Sequence, residues 1–329
     1  MLRVLRRIAW ILAWLIALGC AAWAFGALHY VFPVAKPVAA WAFVATLLAA
    51  LIFLRGAGRK IGAVFAGFAL VLVWWLTLKP SNDRDWQPDV AQTAWAEING
   101  DEVTLHNVRN CDYRTETDFT PRWETRTVRL SQLTGADLAI NYWGSPWMAH
   151  PIFSFQFADA PPLCFSIETR KTASQSYSAI GGLYRQFALI YVVADERDVL
   201  RVRTNYRKGE DVYLYRTTFS PAAARERFVI YLARINAMRT RPRWYNAITT
   251  NCTTAIRAQN TASERMSWNW RILVNGKGDE LLYERHLIAT GGLPFAELKR
   301  SSQINVRARA ADGATDFSRQ IRAGAPGFD

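Results

Sequence analysis

Acidic residues are missing from the first 80 positions, which hold eight Lys or Arg and no Asp or Glu. Cysteine is scarce, with four in 329 residues, which excludes a small disulfide scaffold. No glycine-rich phosphate loop occurs, and no Cys/His spacing of the structural-zinc kind, so no cofactor is indicated. The Gly276-Lys277-Gly278 and Gly291-Gly292 stretches read as turns. Repeats and low-complexity tracts are absent. What is abundant is apolar sequence, 51% of the chain, which excludes disorder for most of it. Net charge is +13, but over half of that excess flanks apolar runs, and the remainder balances 32 basic against 27 acidic residues. A nucleic-acid partner is therefore not expected.

Three apolar runs, Ile8 to Leu28, Val38 to Leu54 and Ile61 to Leu78, approach the ~20 residues that cross a bilayer as a helix. A lipoprotein signal ending at Leu18-Gly19-Cys20 is the rival for the first, but apolar sequence continues past Cys20 and two further runs follow. Arg3, Arg6 and Arg7 precede the first run, and Arg55, Arg59 and Lys60 separate the second from the third. The positive-inside rule then puts the N-terminus in the cytoplasm and everything after Lys79 outside, in the periplasm of a bacterial inner membrane. Cys111, Cys164 and Cys252 would face an oxidising compartment, where an odd number leaves at least one thiol unpaired within the chain. Whether Cys111 and Cys164 pair stays open. The expected organisation is a three-helix membrane anchor (1–80), a connector (81–98), a soluble domain (99–306) and a flexible polar tail (307–329).

The soluble part reads as α+β. Strands are expected at Val103 to Val108, Thr125 to Leu130, Ile152 to Phe157, Leu163 to Thr169, Leu189 to Val193, Val199 to Arg203 and Val212 to Tyr215. Pro221 to Met238 is a helix with Pro in its first turn and an apolar stripe of Phe228, Leu232 and Ile235. Tyr177 to Phe187 fits a helix in spite of Gly181-Gly182, and Thr253 to Gln259 a short one. The run Asp195-Glu196-Arg197-Asp198 reads as a turn or a solvated face.

The hairpin around Ala158-Asp159-Ala160-Pro161-Pro162 carries candidate chemistry. Period-two alternation puts Phe153, Phe155, Phe157, Leu163, Phe165 and Ile167 on the core face. His150, Ile152, Ser154, Gln156, Cys164, Ser166, Glu168 and Arg170 fall on the other. Pairing Phe157 with Leu163 makes His150 and Glu168 diagonal neighbours; a slip by one pair sets them opposite. Either way a His and a carboxylate converge, as a base held in one tautomer requires. Cys252 is the candidate nucleophile. Thr250 or Asn251 can cap the helix that follows, placing Cys252 in its first turn beside Thr253. There the unpaired N–H groups favour a thiolate and an oxyanion. Ser154 and Arg170 support the site from the polar face, and Asn251 and Thr253 from the helix. Taken singly these residues have plainer readings: a small buried Cys, a solvated His, a surface Glu168–Arg170 pair.

Several separated motifs occur together: Ser145-Pro146-Trp147-Met148-Ala149-His150-Pro151-Ile152-Phe153-Ser154-Phe155, Ser166-Ile167-Glu168-Thr169-Arg170-Lys171, Tyr191-Val192-Val193-Ala194-Asp195-Glu196-Arg197-Asp198, and Trp244-Tyr245-Asn246 followed by Asn251-Cys252-Thr253-Thr254. In this order they resemble the Lnb N-terminal periplasmic domain family, over roughly Asn99 to Val306. The resemblance implies a permuted papain-like (NlpC-like) domain, in which the His precedes the Cys, and a structural role for the Asp195 to Asp198 segment. It implies a thiol acyltransferase: Cys252 takes a fatty acyl group as a thioester, His150 serves as base and then acid, and Glu168 orients it. The family name implies N-acylation of lipoproteins, with a phospholipid acyl donor and a lipidated protein acceptor as partners at the membrane. Cys111 and His286 depart from the family pattern, and the family name does not by itself imply three spans. A periplasmic cysteine hydrolase (peptidase or amidase) acting on the cell wall is the alternative, and a non-catalytic envelope assembly protein a third.

Overall fold

The computed structural model describes residues 1–33, 36–259, 269–272 and 275–328. The chain divides into two compact units: residues 1–81 with 176–187 and 244–247, and the remainder.

In the first unit the apolar runs form helices α1 (Leu2–Val31), α2 (Lys36–Phe53) and α3 (Ala57–Thr77). α1 and α3 are long and apolar enough to cross a membrane; α2 offers a shorter apolar stretch, Pro37–Phe53. α1 packs on both others, and the small residues Ala24, Ala27 and Ala40 are fully buried between them. Soluble-region residues join this unit. The Tyr184 ring lies against Trp23 and Tyr30, and a Cβ on Gly26 would fall 2.4 Å from it. The Arg185 guanidinium stacks 3.7 Å from the Trp75 ring centroid and donates to the Trp75 carbonyl in the last turn of α3, which also accepts from the Leu78 amide. Residues 177–187 are therefore not the expected helix. Only Gly181–Leu183 forms a 3-10 turn, and Arg185 takes a left-handed φ of 61° that breaks helical continuity.

The second unit is built on one sheet. Its strands are β1 (Trp95–Asn99), β2 (Glu102–Arg109), β5 (Trp123–Arg129), β6 (Leu133–Trp143), β7 (Ala149–Phe157), β8 (Leu163–Arg170), β9 (Ala188–Asp195) and β10 (Glu210–Arg216), with β3 (Asp112–Tyr113) and β4 (Phe119–Thr120) pairing apart. Among the described residues the order is β1-β2-β9-β8-β7-β6-β10, with β5 on β2; neighbours run antiparallel except β2 and β9. The chain is mixed α+β, as expected. β6, the longest strand, escaped the sequence reading. Both its faces are buried, so it lacks alternation, and Asp137 and Asn141 disguise it as loop.

The sheet is covered on both sides. Helix α5 (Pro221–Thr240), capped by the Ser220 hydroxyl, packs Phe228 and Tyr231 onto Phe155 and Phe165, the expected core face. The opposite face was expected to be polar. It too is buried, under α4 (Glu196–Val199), a π-helical turn at Val202–Tyr206, and the C-terminal helices α9 (Asn305–Ala310) and α10 (Phe317–Gln320). Ile304, Ala308, Phe317 and Ile321 are fully buried there against Ile152, Cys164, Ile190 and Val192. The expectation of a flexible tail over 307–329 is thereby corrected, as is that of a strand at Val199 to Arg203. Buried Arg322 anchors the C-terminal segment by donating to Glu196 at 2.8 Å and Asp137 at 2.9 Å.

The segment Asp195-Glu196-Arg197-Asp198 is not a solvated face. Asp195 caps α4, while Glu196 and Asp198 are fully buried, the latter accepting from Arg109 at 2.7 Å and from the Cys111 amide at 2.6 Å. Buried carboxylates need such partners, since ionic groups taken from water are stable only when paired. All four cysteines are free thiols, and Cys111 and Cys164 are not joined.

Candidate active site

The register of β7 on β8 pairs Ile152 with Ser166 and Phe155 with Leu163, not Phe157 with Leu163. Continued along the strands, it sets His150 across from Glu168, the slipped alternative of the sequence reading. The side chains meet through an intermediary. His150 Nε2 lies 2.7 Å from Ser166 Oγ, and that hydroxyl donates to Glu168 Oε1 at 2.7 Å; Nε2 to Oε1 directly is 4.0 Å. A hydroxyl has one proton. Given to the carboxylate, it leaves Ser166 Oγ as the acceptor from His150, so Nε2 carries the hydrogen and Nδ1 keeps the basic lone pair.

Glu168 is shared with Arg203, whose guanidinium donates to Oε1 at 2.9 Å and to the Val199 carbonyl at 3.0 Å. Burial acts to raise the Glu168 carboxyl, but Arg203 and Arg109 outweigh it and hold it well below the usual carboxylate range. Burial, and then Arg203, lower His150 to about 4 despite the opposing pull of Glu168. The resting imidazole is therefore neutral and able to accept a proton.

Helix α6 (Cys252–Gln259) presents the thiol. Asn251 caps it: Asn251 Oδ1 accepts from the Thr254 amide at 2.9 Å, and Thr254 Oγ1 accepts from the Asn251 amide at 2.9 Å, a reciprocal capping box. Cys252 thus occupies the first helical position, and α6 packs against β7 and β8. The link to His150 is Asn275. Its Oδ1 accepts from the Ala149 amide at 2.9 Å, while its Nδ2 donates to Thr253 Oγ1 at 3.1 Å and lies 3.9 Å from Cys252 Sγ. One carboxamide thus touches the residue before His150 and the thiol itself. It stands where a donor to an oxyanion beside Sγ is needed.

The electrostatics of the thiol differ from expectation. Burial pushes Cys252 above its ordinary value, outweighing hydrogen bonds with Thr253, and nearby Glu168 adds to the rise. With His150 held down and Cys252 held up, the pair rests as imidazole and thiol. The thiolate is the reactive form, so alkylation of Cys252 by iodoacetamide is expected to climb about tenfold per pH unit from pH 6 to 9 with no plateau. Peptide mapping of the modified protein checks this; a rate flat from about pH 4 to 8 would show a preformed thiolate–imidazolium pair instead.

Two supporting residues lie elsewhere. Arg170 donates to the Val90 and Ala91 carbonyls and to Asn82 Oδ1, with its guanidinium over Trp86, so it fastens the connector. Ser154 donates to Glu196 and serves the buried network around Arg322. Sequence reasoning missed Ser166, Arg203 and Asn275 as site residues. Parity had put Ser166 on the right face, but Arg203 was assigned to a strand and Asn275 precedes a stretch that reads as a turn.

Residues 119–275 match the family described as the Lnb N-terminal periplasmic domain. No curated protein and no solved structure matches the chain. The matched segment lies inside the range expected from the motifs and contains His150, Ser166, Glu168, Arg203, Cys252 and Asn275. With the apolar helices that precede it, this fits a membrane-anchored envelope protein. Over residues 119–275, just under half of the chain, the sequence is thus similar to the Lnb N-terminal periplasmic domain.

Proposed function

We propose that the protein is a membrane-anchored periplasmic thiol acyltransferase that moves a fatty acyl group from a phospholipid to an amine, the N-terminus of a lipidated protein, through a thioester on Cys252. The observation that carries this is the Asn275 carboxamide, which touches both Cys252 Sγ and the backbone beside His150. A helix bearing the Cys at its start, laid against a sheet bearing the His, is also the arrangement of a permuted papain-like fold. In this reading all three N-terminal helices cross the membrane, with the N-terminus cytoplasmic.

In the first half-reaction His150 Nδ1 takes the Cys252 proton as Sγ attacks the ester carbonyl carbon. The developing oxyanion meets Asn275 Nδ2 and the amides at the start of α6. Collapse breaks the carbonyl–oxygen bond, and the imidazolium returns its proton to the departing lysophospholipid alkoxide. In the second, the acceptor amine attacks the thioester carbonyl, gives its proton to His150, and the thiolate leaves and is reprotonated. Glu168 stabilises the transient imidazolium through Ser166. Both acyl donor and lipidated acceptor reside in the bilayer.

Intact mass spectrometry of protein purified with native lipid tests the reading. The wild type is expected to carry a hydroxylamine-labile fatty acyl increment that Cys252→Ala lacks. Absence of the increment, together with failure of Cys252 to react with a thiol probe at pH 9, would overturn it in favour of a binding or assembly role.

A further inference from the structure

The charges around His150 come largely from one short segment. Besides burial, Arg203 and Arg207 act to lower His150, while Glu168 acts to raise it. Arg203 lies in the π-helical turn Val202–Tyr206, and Arg207 follows it directly. A π-helical turn is an uncommon continuation of a helix, with hydrogen bonds reaching five residues back, as the Arg207 amide does to the Val202 carbonyl at 2.9 Å. The Val199 carbonyl, which Arg203 also engages, belongs to the same stretch of chain and moves with it. The tightest polar tie to the turn from outside it runs to one carboxylate. Asp312, just beyond α9, accepts from Asn205 Nδ2 at 2.6 Å, from Arg201 Nε at 2.8 Å and from the Tyr206 hydroxyl at 3.2 Å. Arg201 stands immediately before the turn and Tyr206 at its end, so one side chain holds both ends. Asp112, the other carboxylate near Arg201, is farther away at 3.6 Å. The backbone adds to the tie: Asn205 Nδ2 donates to the Ala308 carbonyl at 3.1 Å, and Arg309 Nη1 to the Thr204 carbonyl at 3.3 Å. The Arg201 hydrogen bond holds the Asp312 carboxyl below its ordinary range, so the ion pair persists into mild acid.

We propose that Asp312 is a positioning residue for the acid–base pair: by holding the π-helical turn it seats Arg203 on Glu168, behind the Ser166–His150 link. Asp312 lies beyond residues 119–275, so the C-terminal segment completes a site whose other members all belong to the family-like part of the chain. The proposal deepens the acyl-transfer reading and rests on it for what the arrangement serves, though not for the contacts themselves. The sign of the effect separates a brace from a bare charge. Asp312 is an anion, and removal of an anion acts by itself to lower a histidine. A loosened turn does the reverse. Arg203 withdraws from Glu168, so the cation that lowers His150 recedes and the carboxylate that raises it is left unneutralised.

The test follows the His150 imidazole by NMR from about pH 3 to 8 in full-length, histidine-labelled protein in detergent, with His150→Gln to assign the signal. The wild type is expected to titrate at about 4. Asp312→Asn and, independently, Asn205→Ala, which changes no charge, should each raise that midpoint by about one pH unit. The Asp312 side chain is 42% exposed, so Asn is accommodated there, and melting curves check that both variants fold. Asp316→Asn removes a carboxylate that pairs with Arg319 in the same segment, and should leave the midpoint in place. A midpoint that falls or stays put in Asp312→Asn would overturn the proposal. So would one that stays put in Asn205→Ala, or one that Asp316→Asn raises equally. Failure of the acyl-transfer reading shows separately, as a wild type that never forms a thioester, and leaves the titration decisive for the brace.

Discussion

Replacement of His150 by Ala is expected to slow acylation of Cys252 by roughly 10²–10⁴-fold near neutral pH, the usual contribution of a positioned general base. The thiol is held above its ordinary pKa, so almost none of it ionises unaided at pH 7. The defect should therefore shrink as pH rises, because hydroxide does the work of the lost imidazole. A rate equal to wild type at pH 7 would remove His150 from the chemistry. Asn275→Ala should cost about 10²–10³-fold, the loss of one oxyanion donor. Unlike His150→Ala, its defect should persist at high pH. Time-resolved intact mass of the acyl adduct across pH 6 to 9 measures both, and the two pH signatures separate base from oxyanion donor.

Deletion of residues 303–329 is expected to leave no stably folded second unit. Burial of Ile304, Phe317 and Ile321, each essentially without exposure, contributes about 1.5–3 kcal/mol per side chain. Removal of Arg322 also leaves Glu196 and Asp137 as buried carboxylates short of a partner, at a cost of about 3–5 kcal/mol for a broken buried pair. Together these match the whole ~5–15 kcal/mol that holds a typical domain folded. Arg322→Met alone, which keeps the apolar helices in place, should lower stability by about 3–5 kcal/mol. Melting curves and limited proteolysis in detergent decide the matter: an unaltered melting temperature for the deletion would show that the C-terminal helices are dispensable cover.

The same C-terminal segment shows where reading a sequence fails. Ser301 to Asp329 is rich in Arg, Ala and Gly, and its few large apolar residues are spaced too far apart to announce an amphipathic helix. They are buried because the sheet face beneath is itself apolar at Ile152, Ile190 and Val192, a fact of pairing across many residues. Glu196 and Asp198 mislead in the same way. A charged run is a solvated face unless Arg322 and Arg109 arrive from elsewhere in the chain, as they do here.

Local rules gave the apolar helices, the capped start of α6 with Cys252 in its first turn, the α5 stripe, and the faces of β7 and β8, because each depends on residues within a few positions of one another. The ordered motifs pointed to the family that residues 119–275 match. Tertiary structure alone decided the β7–β8 register, and with it the Ser166 relay between His150 and Glu168. It alone brought Arg203 to Glu168 and Asn275 to Cys252, and sent Arg170 and Ser154 to other duties. It also reversed the expected thiolate. A helix N-terminus favours the anion, but the cost of burial exceeds that gain, and burial is set by every element that closes over the site.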